Sequence, residues 1–244
     1  ITAAQKKDAN PNYSVKFNKG TFTINPKEIT VTITPNGGTY EGNIISAAAV
    51  LNGLVGEDKP EIILTYAGKA NDGTEVNGTK TPVLAGTYTV TASITDSNYN
   101  LKAEGTTAEF VVTKATPGLS VAAVSDKSYG EGAFKLGVSN KGDGLKSYVS
   151  SNEKVVTVDE KGTITIVGAG TATLTVSLAE SANYTADRKA VTVTVAPKEI
   201  TVTADNQKKI AGEADPVLTY TADGLVGEDT LSGITVKRKA GAVS

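Results

Sequence analysis

The stretch TFTINPKEITVTITP, residues 21–35, decides the fold class. Phe22 and Ile24 alternate with Thr21 and Thr23, and Ile29, Val31 and Ile33 then alternate with Thr30, Thr32 and Thr34. A period of two with β-branched residues on one face and threonines on the other is a strand with one dry and one wet side. Seven of these residues, PKEITVT at Pro26–Thr32, occur again at Pro197–Thr203, 171 positions later. The same alternation returns in GTYTVTASI (86–94), GTITIVGAGTATLTVSL (162–178) and AVTVTVAP (190–197). Turn residues separate the strands at NGG (36–38), NDG (71–73), KGDG (141–144) and EKG (160–162). Apolar helical periodicity of any length is missing.

Two further markers keep the same interval. GLVGED begins at Gly53 and again at Gly224, also 171 apart. Asn-Tyr follows a polar turn at Tyr13, Tyr99 and Tyr184, at intervals of 86 and 85. Three markers in one register describe a tandem array with a unit of about 85 residues, the size of a small β-sandwich domain. The offset also settles an ambiguous segment. SAAAVLNGL (46–54) is rich in alanine, the best helix former, but it lies over VLTYTADGL (217–225), where LTYT alternates as a strand. Copies of one unit share one backbone, so both are expected to be strands.

The repeats divide the chain into a closing piece at 1–26, a unit at 27–116, a unit at 117–196 and an opening piece at 197–244. The fold expected is all-β, with tandem immunoglobulin-like sandwiches in an elongated array and partial domains at both ends. The 48 residues of 197–244 and the 25 of 1–25 approach one unit when combined. Unpaired strand edges and half-exposed apolar faces are poorly tolerated. Head-to-tail self-association between 197–244 of one chain and 1–25 of another, by strand addition, is therefore expected.

Composition excludes several classes of function. There are 24 basic and 26 acidic residues in 244, interleaved rather than blocked, so no basic stripe is available to nucleic acid. No apolar run approaches the roughly 20 residues of a membrane-spanning helix, and no membrane insertion is expected of this segment. His, Cys, Met and Trp are all absent. That removes the usual general base at neutral pH, every thiolate and the soft metal ligands. No cofactor and no catalytic residue is expected, and no enzyme, because nothing supplies a nucleophile and a base together. Without disulfides, stability must come from burial and strand pairing.

Candidate sites are few. Glu57 with Asp58, and Glu228 with Asp229, are carboxylate pairs, but oxygen sites for calcium usually gather several carboxylates in one loop, and a polar turn is the better reading. VGAGTAT (167–173) lies between strands with no helix after it, which rules against a phosphate cradle. Lys27, Lys114 and Lys198 sit at unit junctions, unsuited to an isopeptide bond. Tyr13, Tyr99 and Tyr184 are read as structural markers, lids over a sandwich end with the hydroxyl bonded to backbone, as in the tyrosine corner. Tyr40, Tyr66, Tyr129 and Tyr148 remain as possible glycan contacts.

A resemblance adds to this reading. SSNEKVVTVDEKGTITIVGAGTATLTVSL (150–178) resembles the group 2 bacterial immunoglobulin-like domains, in a unit taken as 117–196. PKEITVT, ADPVLTYTADGLVGED and GTYTVTASITDSNY resemble MBG repeats. The resemblance implies a non-catalytic stalk or adhesive segment of a bacterial cell-surface or secreted protein, which spaces or presents a binding domain. Its partners would be neighbouring repeats. The alternative is a module that itself binds a host or plant glycan, or a host protein, through loops or a sheet face; the missing Trp counts against it.

Overall fold

A computed structural model describes residues 2–4, 12–43 and 45–239. It divides into two compact units, residues 1–114 and 115–244, and among the described residues every regular element is a strand.

The first unit contains β1 (Lys27–Pro35), β2 (Gly38–Thr39), β3 (Ala47–Asn52), β4 (Ile62–Ala70), β5 (Glu75–Gly78), β6 (Gly86–Ile94), β7 (Tyr99–Leu101) and β8 (Thr107–Thr113). They form two sheets, in the orders β3-β1-β7 and β2-β8-β6-β4-β5. The alternation read in the sequence is the burial pattern: Ile29 and Val31 of β1 are buried while Thr30 and Thr32 are exposed. In the larger sheet the inward residues of β6, Tyr88 and Val90, pack with Tyr66, Phe110 and Val112. The Tyr66 ring meets Phe110 edge-on with centroids 6.4 Å apart, and Tyr88 lies tilted against the same ring at 5.6 Å. The long segment 67–86 is the end of β4, the β5 hairpin and the return to β6.

The second unit contains β9 (Ser120–Val121), β10 (Lys127–Ser128), β11 (Phe134–Lys135), β12 (Val138–Ser139), β13 (Lys146–Ser150), β14 (Val156–Val158), β15 (Thr163–Ile166), β16 (Gly170–Leu178), β17 (Asp187–Ala196), β18 (Thr201–Ala204) and β19 (Tyr220–Asp223). Its main sheet runs β10-β17-β16-β13, and a three-stranded sheet β11-β15-β14 accompanies it. Ala172, Leu174, Val176 and Leu178, all on one face of β16, join Val156, Ile164, Val193 and Val195 in one buried cluster.

The alanine-rich segment is a strand, as its repeat partner requires. β1 pairs antiparallel with β3 in the register Thr30↔Asn52, Val31↔Leu51, Thr32↔Val50, Ile33↔Ala49. β18 pairs with β19 as Thr201↔Asp223, Val202↔Ala222, Thr203↔Thr221, Ala204↔Tyr220. These are the same four pairs moved by 171 residues. Burial on a paired strand outweighs the weak helical preference of three alanines.

The two copies differ in what covers them. In the first, β7 runs parallel to the start of β1, with Lys27 N donating to Asn98 O at 2.8 Å and Lys102 N to Ile29 O at 2.9 Å. In the second, no strand among the described residues pairs with Lys198–Ile200. Val31 is 4% exposed and its counterpart Val202 is 40% exposed. At the other end of the chain Tyr13, Phe22 and Ile24 are all exposed.

The complete first unit also shows what the expected joining of 197–244 with 1–25 must supply. β6 lies at the centre of the five-stranded sheet, between β8 and β4. In the spacing set by the Asn-Tyr markers its counterpart falls on residues 1–8, most of them outside the described residues. That sequence, ITAAQKKD, has Lys6 and Asp8 where β6 has Ala92 and Ile94.

Candidate inter-repeat site

The GLVGED segment builds a corner in each unit. After β3 the chain turns through Gly53 at φ 92° and Gly56 at φ 59°, and after β19 through Gly224 at φ 98° and Gly227 at φ 58°. Both are left-handed conformations that glycine adopts without steric penalty, so the motif fixes one backbone shape wherever it appears. The turn is closed by Asp58 N donating to Val55 O at 3.2 Å in one copy and by Asp229 N to Val226 O at 3.1 Å in the other. Each corner rests on the opening strand: the nearest side chain to Gly53 is Ile29, and Ile200 packs beside Gly224.

In the first unit Tyr99 enters this corner. Its ring is buried, 4% exposed, under the end of the sandwich, and its hydroxyl accepts from Val55 N at 3.1 Å while donating to Asp58 Oδ2. The donated bond holds the phenol protonated and pushes its pKa above the ordinary tyrosine value. In the second unit the corner's carboxylate is met by Tyr129, whose hydroxyl donates to Asp229 Oδ2 at 2.9 Å. That bond likewise raises the Tyr129 pKa. The cleft here is about 260 Å³ and is lined by Tyr129, Ala169, Pro197, Ile200, Leu225 and Val226 among others.

The parallel junction is also used twice. Ala115 N donates to Asn183 O at 2.9 Å and Thr185 N to Ala115 O at 2.9 Å, so the Asn-Tyr turn at Tyr184 lies parallel to the entering chain as that at Tyr99 does. Tyr13 is 71% exposed.

The four tyrosines considered for glycan contact are not alike. Tyr66 is 3% exposed and its hydroxyl accepts from Ala47 N at 3.0 Å, so it offers no stacking face, a correction that follows from its place on the inward side of β4. Tyr40 is half-buried against the core of the first unit. Tyr148 is half-buried and its ring lies beside Gly162, and Tyr129 is committed to Asp229. Of the carboxylates weighed for a cation, Asp58 and Asp229 each accept a tyrosine hydroxyl, and among the described residues no group of three or more potential ligands gathers. Neither tyrosine–aspartate pairing was legible beforehand; the recurrence of Asp58 and Asp229 in one register marks the corner, but Tyr129 lies in Ser128–Gly130 and not in an Asn-Tyr turn. Among the described residues no helix is long and apolar enough to cross a membrane.

Comparison with known proteins places these segments. Residues 30–116 match the MBG domain family, 129–180 the intimin immunoglobulin-like domain and 200–244 the MBG domain of YGX type. The middle match thus names the intimin type where the sequence resembled group 2 domains. No curated protein matches the chain. Among solved structures it is similar to Drosophila N-cadherin EC1-3 at 12% identity, covering 71% of this chain and 65% of that one with a TM-score of 0.27. It is similar to domains 4-9 of surface layer protein SbsC at 14% identity, covering 79% of this chain and 36% of that one with a TM-score of 0.31. The chain therefore spans less than two thirds of either structure. With two MBG matches and an intimin-type immunoglobulin-like match in tandem, the chain is consistent with bacterial immunoglobulin-like surface repeats.

Proposed function

We propose that this is a non-catalytic structural or adhesive segment of a bacterial cell-surface protein, extracellular in place, that spaces or presents a binding domain. The observation that carries the reading is the identical strand register and glycine turn in two copies 171 residues apart. A module repeated with its backbone unchanged adds length rather than a new site. The family matches, none of them to an enzyme family, support it, as do side chains that lack His and Cys. The working division is 1–26, 27–116, 117–196 and 197–244. Neighbouring repeats are the first partners. Self-association between 197–244 and 1–25 is compatible with strand addition along Lys198–Ile200, in the manner of β7 on β1, and a rise of mass with concentration in light scattering tests it. The glycan- or host-protein-binding alternative loses Tyr66 to burial, and Tyr129 is engaged by Asp229.

Pulling single molecules by their ends tests the spacer reading. Each complete unit of about 85 residues should release roughly 30 nm of chain in one step, at about 3.6 Å per residue. Unfolding without such steps, or tight binding to arrayed glycans abolished by replacing Tyr40 or Tyr148, overturns it.

A further inference from the structure

The GLVGED corner receives its tyrosine from two different places. At 53–58 the donor is Tyr99 of the same repeat, and at 224–229 it is Tyr129 of the preceding one. We infer that this corner is a tyrosine-accepting surface by which one repeat grips its neighbour, with Tyr129 and Gly130 as the positioning residues of the junction. The inference rests on reading the chain as a repeat array and adds how its members are held.

Tyr129 is delivered from a fixed point. β10 pairs parallel with the last residues of β17, as Lys127↔Val195 and Ser128↔Ala196, and Tyr129 N donates to Ala196 O at 2.9 Å. The tyrosine is thus anchored one residue before Pro197, where the next repeat starts. Proline sets φ at that step and leaves few ways for the chain to continue. A tight turn follows Tyr129, closed by Ser128 N donating to Glu131 Oε1 at 2.8 Å and Glu131 N to Ser128 O at 3.1 Å. Lys127 pairs with Glu131 at 3.3 Å across the same turn.

Gly130 brings this turn against the corner. Its φ is 92°, and a Cβ there would lie 2.7 Å from Val226 Cγ2 and 3.5 Å from Lys198 Cδ. Only glycine allows that approach. The junction is therefore held at three places: the phenol on Asp229, the glycine on Val226, and the strand end leading into Pro197. The corner supplies its part in both settings because Gly224 and Gly227 reproduce the shape of Gly53 and Gly56.

The chain has no cysteine, so two introduced at exposed Glu160 and Lys208 carry the only spin labels. Pulsed electron paramagnetic resonance then reads the distance across the junction. The parent should give one narrow distance. Tyr129→Phe and Asp229→Asn should each broaden it by a roughly tenfold fall in docked population, the consequence of losing one charge-assisted hydrogen bond. The double variant should broaden it no further, because both changes remove the same bond. Gly130→Val should broaden it too, because a side chain at φ 92° strains the turn that presents Tyr129 and collides with Val226. A broad distribution in the parent, or one as narrow in Tyr129→Phe as in the parent, overturns the inference. Thermal melting of the core around Val176 and Val193 should stay at the parent value in Tyr129→Phe, which keeps the ring, and in Asp229→Asn. Failure of the spacer reading shows instead in the pulling steps, which do not depend on Tyr129.

Discussion

Val31→Ala and Val202→Ala make the same change in the same seven-residue sequence, PKEITVT, and differ only in what lies around it. Intrinsic strand preference is a large part of most valine-to-alanine costs on a sheet. Here it cancels in the difference. Val31 is 4% exposed on the inward face of β1, between β3 and β7. Removing two methyl groups there forfeits about 0.8 kcal/mol for each, plus a cavity penalty, for about 2 to 3 kcal/mol in all. Val202 is 40% exposed on a strand paired on one side, and the cost should stay below about 1 kcal/mol. In a domain of 60–100 residues each kcal/mol moves the melting midpoint by roughly 4–8 °C. Val31→Ala should therefore lower the midpoint of the first unit by roughly 10 °C or more in calorimetry. Hydrogen exchange at the amides of β18 reads the local effect of Val202→Ala. Costs within about 0.5 kcal/mol of each other would show that the second copy is covered as fully as the first, and the reasoning from exposure would fail.

The remaining expectations concern turns and titration. Tyr99 and Tyr129 both donate to carboxylates and have raised pKa values, so the stability they contribute is complete below the ordinary tyrosine value of about 10 and lost as pH rises through the raised folded value. Chemical denaturation from pH 8 to 12 should show an alkaline fall that is smaller in Tyr99→Phe. Asp159 accepts from Lys161 N at 2.9 Å and Thr163 N at 2.7 Å, and these backbone bonds lower its pKa. Its contribution is present above about pH 4 and lost as pH falls through the lowered folded value, so the advantage of the parent over Asp159→Asn should vanish in acid. Gly144→Ala should destabilise the second unit by about 2 kcal/mol or more, because a Cβ there collides with the Ala179 carbonyl oxygen; an unchanged denaturation midpoint would show that the backbone yields.

Much of the fold was legible because one face of each strand is dry. Phe110 and Val112, or Val193 and Val195, announce their burial by alternating with polar or exposed neighbours. The repeat offset did more, since it turned the alanines of β3 from a helix signal into a strand. What escaped were pairings too short to leave a period. β9, β10, β11 and β12 have two residues each, and the partner of β10 lies at the far end of the domain sequence, Lys127 opposite Val195. Tyr66 was misplaced among surface aromatics although Leu64-Thr65-Tyr66 in β4 alternates as LTYT does at 218–221, which puts Tyr66 on the face of Leu64 in the core. The Tyr129–Asp229 bond spans 100 residues and two repeats, so no single unit's sequence contains it.

The choice of tyrosine at the corner follows from what the rest of the chain lacks. A sandwich end must cover apolar side chains such as Ile29 and also satisfy turn amides such as Val55 N. A leucine could do the first and a serine the second. With no Trp, His, Met or Cys in the chain, tyrosine is the one residue present that fills the space with a ring and carries a hydroxyl able to donate and accept at once. The hydroxyl accepts from the turn amide and donates to Asp58, and the glycines of GLVGED hold both partners in place. Because nothing in that pairing depends on where the phenol comes from, a tyrosine on a neighbouring repeat can meet the same carboxylate. A corner that closes one sandwich thereby carries the chemistry to join two.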